Sequence, residues 1–288
     1  MHAVLSPRGP YSLRLTCRHG SDATRRVADG VYRATIVADG RLERATAHQR
    51  PDGAVVVTAE SEAGVEHVRF ALALDDDHSE FLRRFARDPL LEAPIRQLRG
   101  MRPLRTGSVG QALLRAVAGQ LITASRAREI ERSVIRAATT AVDGLHAPPT
   151  AAELGRFSPA ALRKLGLGTR RGAVLVRLCR TVDLERLRHH PSAAVVSRLV
   201  REPGLGPWSA GVVCLEGLGR YDVGLRRDLG LVKLASALWG RWVEAEETDE
   251  LLAPYGEWEG LASHYLLAGL GGVLESRGLV ALPDVRVA

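Results

Sequence analysis

The sequence predicts an α+β protein: a small antiparallel β-sheet domain with a helix over residues 1–78, followed by a mostly α-helical, two-lobed core over 79–288. Three observations lead there. Alternating or β-branched runs with Asp-Gly turns crowd the first seventy-odd residues. From about residue 80 nearly to 275, apolar residues recur at three- and four-residue spacing. The chain has 288 residues, 45% of them hydrophobic and 25% charged, which supplies apolar side chains for two compact units and argues against disorder.

Between about Tyr11 and Leu74 the runs 31–37, 42–47 and 54–58 read as strands, turned at Asp39-Gly40 and Asp52-Gly53. Residues 21–28 are read as a short helix behind the N-cap candidate Ser21. Asp75-Asp76-Asp77-His78-Ser79 is expected to be a solvated linker that caps a helix beginning near Glu80. Beyond it, helical faces are carried by Phe81/Leu82/Phe85, by Leu113/Leu114/Val117/Leu121 and by Val174/Leu175/Leu178. Thr150 and Ser158 stand where helix caps belong, next to Pro148-Pro149 and Pro159. No fixed-period repeat and no low-complexity tract interrupts this order.

Composition narrows the function classes. The longest apolar runs are broken well short of the ~20 residues a bilayer helix requires, so no membrane span is expected. The opening Met-His-Ala-Val-Leu-Ser-Pro-Arg has neither a basic n-region nor an apolar h-region, and a cytoplasmic, monomeric protein is expected. Three cysteines, Cys17, Cys179 and Cys214, are too few and too scattered for a disulfide framework, a thiolate zinc site or a four-cysteine iron–sulfur cluster. His189-His190 has no matching ligand pair, so no metal site is expected from the residues themselves. Lys plus Arg number 40 against 33 Asp plus Glu, a net charge of +7 that favours polyanionic partners. Nearly all the cations are arginines, the only lysines being Lys164 and Lys233, and this restricts any chemistry that needs an amine.

Pro203-Gly204-Leu205-Gly206 links two helical stretches, its glycines permitting positive φ and close approach of another backbone. Their amides, with those opening the next helix, can face a phosphate where the helix dipole also favours negative charge. An ordinary helix end is the competing reading. Twenty-two residues after Gly206 stands Asp228, within Arg226-Arg227-Asp228-Leu229-Gly230-Leu231, preceded by a loop over 219–227. Gly166-Leu-Gly-Thr-Arg-Arg-Gly172 nearly imitates a dinucleotide fingerprint, but its third glycine is a residue late and no strand precedes it.

This hairpin, loop and helix-opening aspartate resemble the helix-hairpin-helix DNA glycosylase superfamily. Ala116-Val-Ala-Gly-Gln-Leu-Ile-Thr123 looks like that family's early helix with a Gly-Gln pair, and Leu162 to Ala173 like its basic turn ahead of the hairpin. Tyr255 to Leu266 is similar to the closing helix of the alkylated-purine branch, the bacterial 3-methyladenine DNA glycosylase II type. The resemblance covers roughly residues 80–275. It implies a helix-hairpin-helix glycosylase core and a monofunctional enzyme of base excision repair that extrudes and hydrolyses alkylated purines such as 3-methyladenine and 7-methylguanine. It implies double-stranded DNA with a damaged base as partner and a nucleoid-associated place in the cytoplasm. It requires no cofactor, although a structural Na+ or K+ on hairpin carbonyls such as that of Leu205 accompanies some relatives.

Residue by residue, Asp228 takes the catalytic place. Trp208, Trp258, Val212 and Gln120 fall in the base pocket, with Tyr265 read as core. Gly204, Leu205 and Gly206 hold the strand, while Thr169, also read as the next helix cap, Arg170 and Arg227 meet phosphates, as Arg171 and Arg226 can. The apolar wedge that fills the vacated stack maps onto Pro103-Leu104, where Leu104 equally reads as a packed loop residue. Trp208 stands where bifunctional oxoguanine-type members carry their Schiff-base lysine, so strand cleavage is not expected. Val212 replaces an aromatic and Leu121 a second glutamine, which leaves open a damaged-DNA-binding protein of other specificity or without catalysis. At the start of a helix Asp228 is expected to be kept ionised by the dipole and backbone amides, unless it is a mere N-cap, a part Asp222 also fits.

Overall fold

The computed structural model describes residues 1–276, so residues 277–288 of the expected helical core lie outside the described residues. Strand β1 (His2–Leu5) precedes helix α1 (Leu13–Thr16); β2 (Arg25–Ala28), β3 (Val31–Ala38), β4 (Arg41–Gln49), β5 (Val55–Thr58) and helix α2 (Glu62–Ala71) follow. The sheet is antiparallel in the order β1-β5-β4-β3-β2. Asp39-Gly40 turns β3 into β4 with φ of 49° and 74°, the left-handed pair a two-residue hairpin loop demands.

Three parts of this domain differ from expectation. Residues 21–28 are not a helix. Ser21 Oγ accepts from Val27 N at 3.0 Å and Asp22 Oδ1 from Thr24 and Arg25 N at 2.7 and 3.2 Å, so both cap-type side chains close a turn instead. Asp29-Gly30, with φ of 53° and 73°, then folds β2 onto β3 in the register Val27↔Tyr32. The domain's long helix is α2, within the stretch expected to be strand. Ser61 Oγ caps it by accepting from Gly64 N at 3.0 Å, and Val65 and Val68 pack with Ile36, Val55 and Val57 of the sheet in one core. β1, ahead of the expected first strand, pairs with β5.

The acidic linker is an internal joint rather than a solvated spacer. Asp77 Oδ1 does accept from Ser79 N at 2.8 Å, but Asp76 pairs with Arg105 and accepts from the Tyr221 hydroxyl, and His78 lies buried edge-on to the Tyr221 ring, centroids 4.8 Å apart. Arg102 is fully buried and donates to the carbonyls of Ala73 and Arg8 and, at 3.3 Å, Pro10. A guanidinium taken out of water must find such acceptors, and three loop carbonyls supply them.

The helical part comprises α3 (Ser79–Arg84), α4 (Glu92–Gln97), α5 (Val109–Gly119), α6 (Ala124–Ala138), a ribbon of β6 (Ala141–Val142) and β7 (Leu145–His146), α7 (Ala151–Gly155), α8 (Pro159–Lys164), α9 (Thr169–Thr181), α10 (Ser192–Val200), α11 (Pro207–Val212) running into a π-turn (Val213–Gly217), α12 (Leu229–Trp239), α13 (Thr248–Leu252), α14 (Glu259–Ala268) and α15 (Leu270–Ser276). Thr150 and Glu153 close a reciprocal capping box on α7, and Ser158 caps α8. The ribbon is turned by Asp143-Gly144 and tied to the sheet domain by His146 N to Ala23 O at 2.8 Å and Thr35 Oγ1 to Leu145 O at 3.0 Å.

Two hydrophobic cores make two lobes. The first gathers α5, α6 and α9 to α11 around Leu113, Val117, Leu175, Leu199 and Ala210; the second gathers α3, α4 and α12 to α15 around Phe81, Leu234, Leu252, Tyr265 and Leu266. Tyr221 and Leu267 pack against both. Among the described residues no helix is long and apolar enough to cross a membrane.

Candidate active site

The hairpin forms because α10 ends at Val200 and the chain turns through Glu202-Pro203-Gly204, with Gly204 at φ 96°, a left-handed value favouring glycine. Leu205 folds inward to 5% exposure, its amide donating to Glu202 O at 3.0 Å, and Pro207 occupies the first position of α11, where no amide is needed. Gly206 is different. Its φ of −112° suits any residue, and a Cβ there would meet nothing within 4 Å. Neither conformation nor internal packing calls for a glycine, and its open side faces outward at the N-terminus of α11.

Gln120 braces this hairpin. Its Nε2 donates to Gly204 O at 2.7 Å and to Ser209 Oγ at 3.1 Å, while Arg171 Nη1 donates to Gln120 O at 2.9 Å. The side-chain NH2 of Gln120, expected in the base pocket, thus holds the hairpin and α11. Arg177 and Glu202 pair on the other side.

Asp228 is the N-cap of α12, reached through Arg227 at φ 66°, whose amide donates to Thr248 Oγ1 at 2.8 Å. Asp228 Oδ1 accepts from Gly230 N at 2.7 Å and Oδ2 from Trp208 Nε1 at 2.7 Å. Gly211 of α11 lies so close to the carbonyl of Gly224 that a Cβ would collide with it, which draws the loop ahead of Asp228 against the hairpin's helix. Gly119 plays the same part for the indole: a Cβ there would sit 2.7 Å from Cη2 of Trp208. The Gly-Gln pair of α5 thus makes room for Trp208 with one residue and fastens the hairpin with the next.

The amides expected around Asp228 are present, but burial outweighs them. Burial pushes its carboxyl above the ordinary value of 3.8, against the opposing effect of the Trp208 N–H and the amides of Gly230 and Leu231. An N-cap aspartate in water would be depressed. This one is held in a partly desolvated place, both oxygens fixed, which is how an anion is kept ready for charge developing beside it. Asp222 is no competing cap; its Oδ1 accepts from Ser192 Oγ at 2.8 Å.

The other expected site residues are dispersed. Leu104 is 9% exposed in the sheet-domain core, between anchored Arg102 and Arg105, and cannot serve as a wedge without unpacking that core. The residue with a wedge's exposure is Leu121, 99% exposed and at φ 54°, directly after Gln120. Sequence reasoning passed over it because a leucine gives no sign of a left-handed backbone. Thr169 is the first residue of α9, not its cap; Gly168 holds the cap position, and Thr169 and Arg170 are exposed. Arg227 pairs with Glu246 at 3.0 Å on the surface, and Arg226 with Glu259 at 2.7 Å. Val212 lies in the first core at 4% exposure. Trp258 packs on Phe81 in the second core, centroids 5.9 Å apart, and Tyr265 donates to Leu98 and Met101 carbonyls at 3.3 and 3.0 Å. Among the described residues no group of three or more His, Cys, Asp or Glu side chains is placed to hold a metal ion.

No protein-family model matches the sequence, and no curated protein matches it. Solved structures do match the fold. A 3-methyladenine DNA glycosylase from Archaeoglobus fulgidus superposes with a TM-score of 0.82 at 23% identity, covering 93% of this chain and 97% of that one. An 8-oxoguanine glycosylase/lyase from Clostridium acetobutylicum, in complex with double-stranded DNA containing cytosine opposite 8-oxoguanine, gives 0.75 at 18% identity over 96% and 98%. A DNA-3-methyladenine glycosidase from Bacillus halodurans gives 0.51 at 24% over 68% and 91%. With its antiparallel sheet, two helical lobes and glycine hairpin leading to a helix-opening aspartate, the chain shares the fold of these DNA glycosylases.

Proposed function

We propose that this protein is a monofunctional DNA N-glycosylase that extrudes alkylated purines of the 3-methyladenine and 7-methylguanine type from double-stranded DNA and hydrolyses their glycosidic bond. The observation that carries the reading is the Asp228 carboxylate, half-buried and held by Trp208 and the first turn of α12 beside the hairpin. A damaged base cannot be reached inside the stack, so its nucleotide must rotate out, at a cost of a few kcal/mol. Leu121 is the wedge that takes its place. Hairpin amides and the N-terminus of α11 grip a phosphate without reading sequence. As the bond to C1′ breaks, the sugar acquires oxocarbenium character, and the fixed carboxylate stabilises that charge while water supplies the new bond. An N-alkylated purine leaves with its positive charge neutralised by the bond's electron pair, so a general acid is not required. Trp208, standing where an amine nucleophile would be needed, supports hydrolysis without strand cleavage.

Of the hairpin carbonyls, those of Gly204 and Gly206 accept from Gln120 Nε2 and Ala210 N, whereas that of Leu205 accepts no hydrogen bond among the described residues, so Leu205 would be the ligand of a Na+ or K+ ion. Such an ion would offset phosphate charge at the hairpin.

The test of the reading is a panel of duplexes carrying single alkylated, deaminated or oxidised bases, with released base identified by chromatography. Release of alkylated purines is expected; release confined to oxidised or deaminated bases, or none, contradicts it. Two variants probe the grip. Gly206→Ala is expected to fold with unchanged melting temperature, because its Cβ meets nothing, yet to weaken duplex affinity about tenfold by holding the phosphate off the hairpin. Equal affinity in both proteins would remove the hairpin from DNA binding. Leu121→Ala, at a fully solvated position, should leave stability within about 0.5 kcal/mol and slow single-turnover release by at least about tenfold, through lost extrusion; an unchanged rate would remove Leu121 as the wedge.

A further inference from the structure

Two helix faces converge on Asp228 and continue beyond it. On α11 and its π-turn, Trp208, Val212 and Glu216 follow at four-residue intervals, Trp208 ending on Asp228 and Glu216 on Arg115 of α5 at 2.5 Å. On α14, Leu267 abuts Gly230, where a Cβ would lie 2.5 Å from its Cδ2, and His264 stands one turn earlier on the same face. Gly230 is the residue whose amide holds Asp228. Leu267 touches both cores, so these faces meet at the junction of the lobes.

The end of these faces away from Asp228 is polar and incompletely paired. His264 Nε2 is covered from solvent with no hydrogen-bond partner, and covered polar atoms without partners call for an explanation. Glu216 Oε2 binds Arg115, while among the described residues Oε1 holds no hydrogen bond. Glu216 is presented by the π-turn, closed by Leu218 N to Val213 O at 3.0 Å, and its own carbonyl is taken by Thr106 N at 2.8 Å and Thr106 Oγ1 at 3.2 Å. Turns of this kind recur at functional sites because they re-aim one side chain within a helix. Arg115 also meets Asp22 at 3.0 Å and Glu131 at 2.9 Å, and Arg25 meets Asp22 at 3.3 Å. Three carboxylates thus answer two guanidiniums. Burial and the nearby Arg18 push His264 down to about 4, against the opposing pull of Glu216, so its ring is neutral at pH 7 with one donor and one acceptor nitrogen.

We infer that Glu216 and His264, backed by Arg115, form the recognition wall for the extruded base, and that Glu216 makes this wall prefer a cationic, ring-N-alkylated purine over a neutral one. The inference rests on the glycosylase reading above. A purine alkylated at a ring nitrogen carries a positive charge that a neutral deaminated purine lacks, and its attraction to Glu216, whose side chain is 26% exposed, strengthens as the seated base displaces water. The neutral imidazole hydrogen-bonds either kind of base and contributes to both.

Duplex affinities are measured in the Asp228→Asn background, which keeps the lesion intact, for 7-methylguanine and for neutral hypoxanthine. Adding Glu216→Gln is expected to lower the preference for 7-methylguanine over hypoxanthine about tenfold. Glu216→Met, which fills the same volume and leaves Arg115 with Asp22 and Glu131, must give the same loss; an unchanged ratio in either folded variant overturns the inference. His264→Gln should weaken both duplexes by a similar factor of about three to ten with the ratio kept, and affinities equal to those of the parent would remove His264 from the wall. Base release by the unmodified protein from the 7-methylguanine duplex is scored separately: its absence refutes the glycosylase reading, while the affinity ratio still decides the wall.

Discussion

Replacing Asp228 with asparagine is expected to lower single-turnover base release about 10²- to 10³-fold or more while duplex affinity stays within about twofold. On the proposed reading Asp228 contributes a charge where positive charge develops, and the hairpin proposed to carry affinity is built from other residues, Gly204 to Gly206 with Gln120 behind them. The substitution also has a stability signature. Because burial raises the carboxyl of Asp228, the folded state holds its proton more tightly than the unfolded chain does. Its contribution is most favourable at low pH and is lost as pH rises from the ordinary carboxylate range through the raised value. The asparagine variant lacks that loss. It gives up one hydrogen bond, since both Asp228 oxygens accept and an amide has a single acceptor, a cost of about 1 kcal/mol. Stability measured across pH 3 to 7 should therefore fall less with rising pH in Asp228→Asn than in the parent. Equal base release by the two proteins would exclude Asp228 from the reaction, and retained stability with lost DNA binding would make it part of the grip.

The second large effect is expected from Trp208→Phe, which keeps a six-membered aromatic ring but removes the pyrrole part of the indole and with it the N–H. That N–H holds Asp228 Oδ2 at 2.7 Å and lowers its carboxyl against the effect of burial. Without it the carboxyl rises further and turns more freely about its remaining bond to Gly230 N. Reaction needs the carboxylate, so the acidic limb of the rate profile moves to higher pH, and the plateau rate falls about tenfold. KM should change little. A fall in rate with an unmoved acidic limb would mean that Trp208 acts through packing alone.

Much of this site was legible in sequence because its signals are local. Glycines four and six residues past two hundred, a proline opening the next helix and an aspartate opening another each carry their meaning within a few residues. The helix cap at Thr150 was legible for the same reason. What failed depended on contacts made elsewhere. Ser21 and Asp22 cap helices and close turns with equal ease, and only the pairing of Arg25–Ala28 with β3 decides between them. Leu104 and Leu121 are both leucines near an arginine-rich loop, yet one fills the sheet core and the other stands in solvent; burial at those places is set by α2 and the hairpin, not by neighbours in the chain. The acidic linker looked solvated because its partners, Arg105 and Tyr221, are remote. The bond between Trp208 and Asp228 spans twenty residues, and the desolvation that reverses the aspartate's electrostatics exists only once the lobes have closed around it.

The central claim is that Asp228 faces C1′ of an extruded nucleotide held by the hairpin. Its most direct measurement compares duplex affinities for two abasic analogues of the same shape, a pyrrolidine that is cationic where the oxocarbenium charge develops and a neutral tetrahydrofuran. Native protein should bind the cationic analogue at least about 10²-fold more tightly, as transition-state analogues do, and Asp228→Asn should lose that preference while binding tetrahydrofuran as before. Equal affinity of the native protein for the two analogues, or a preference that survives in Asp228→Asn, would contradict it.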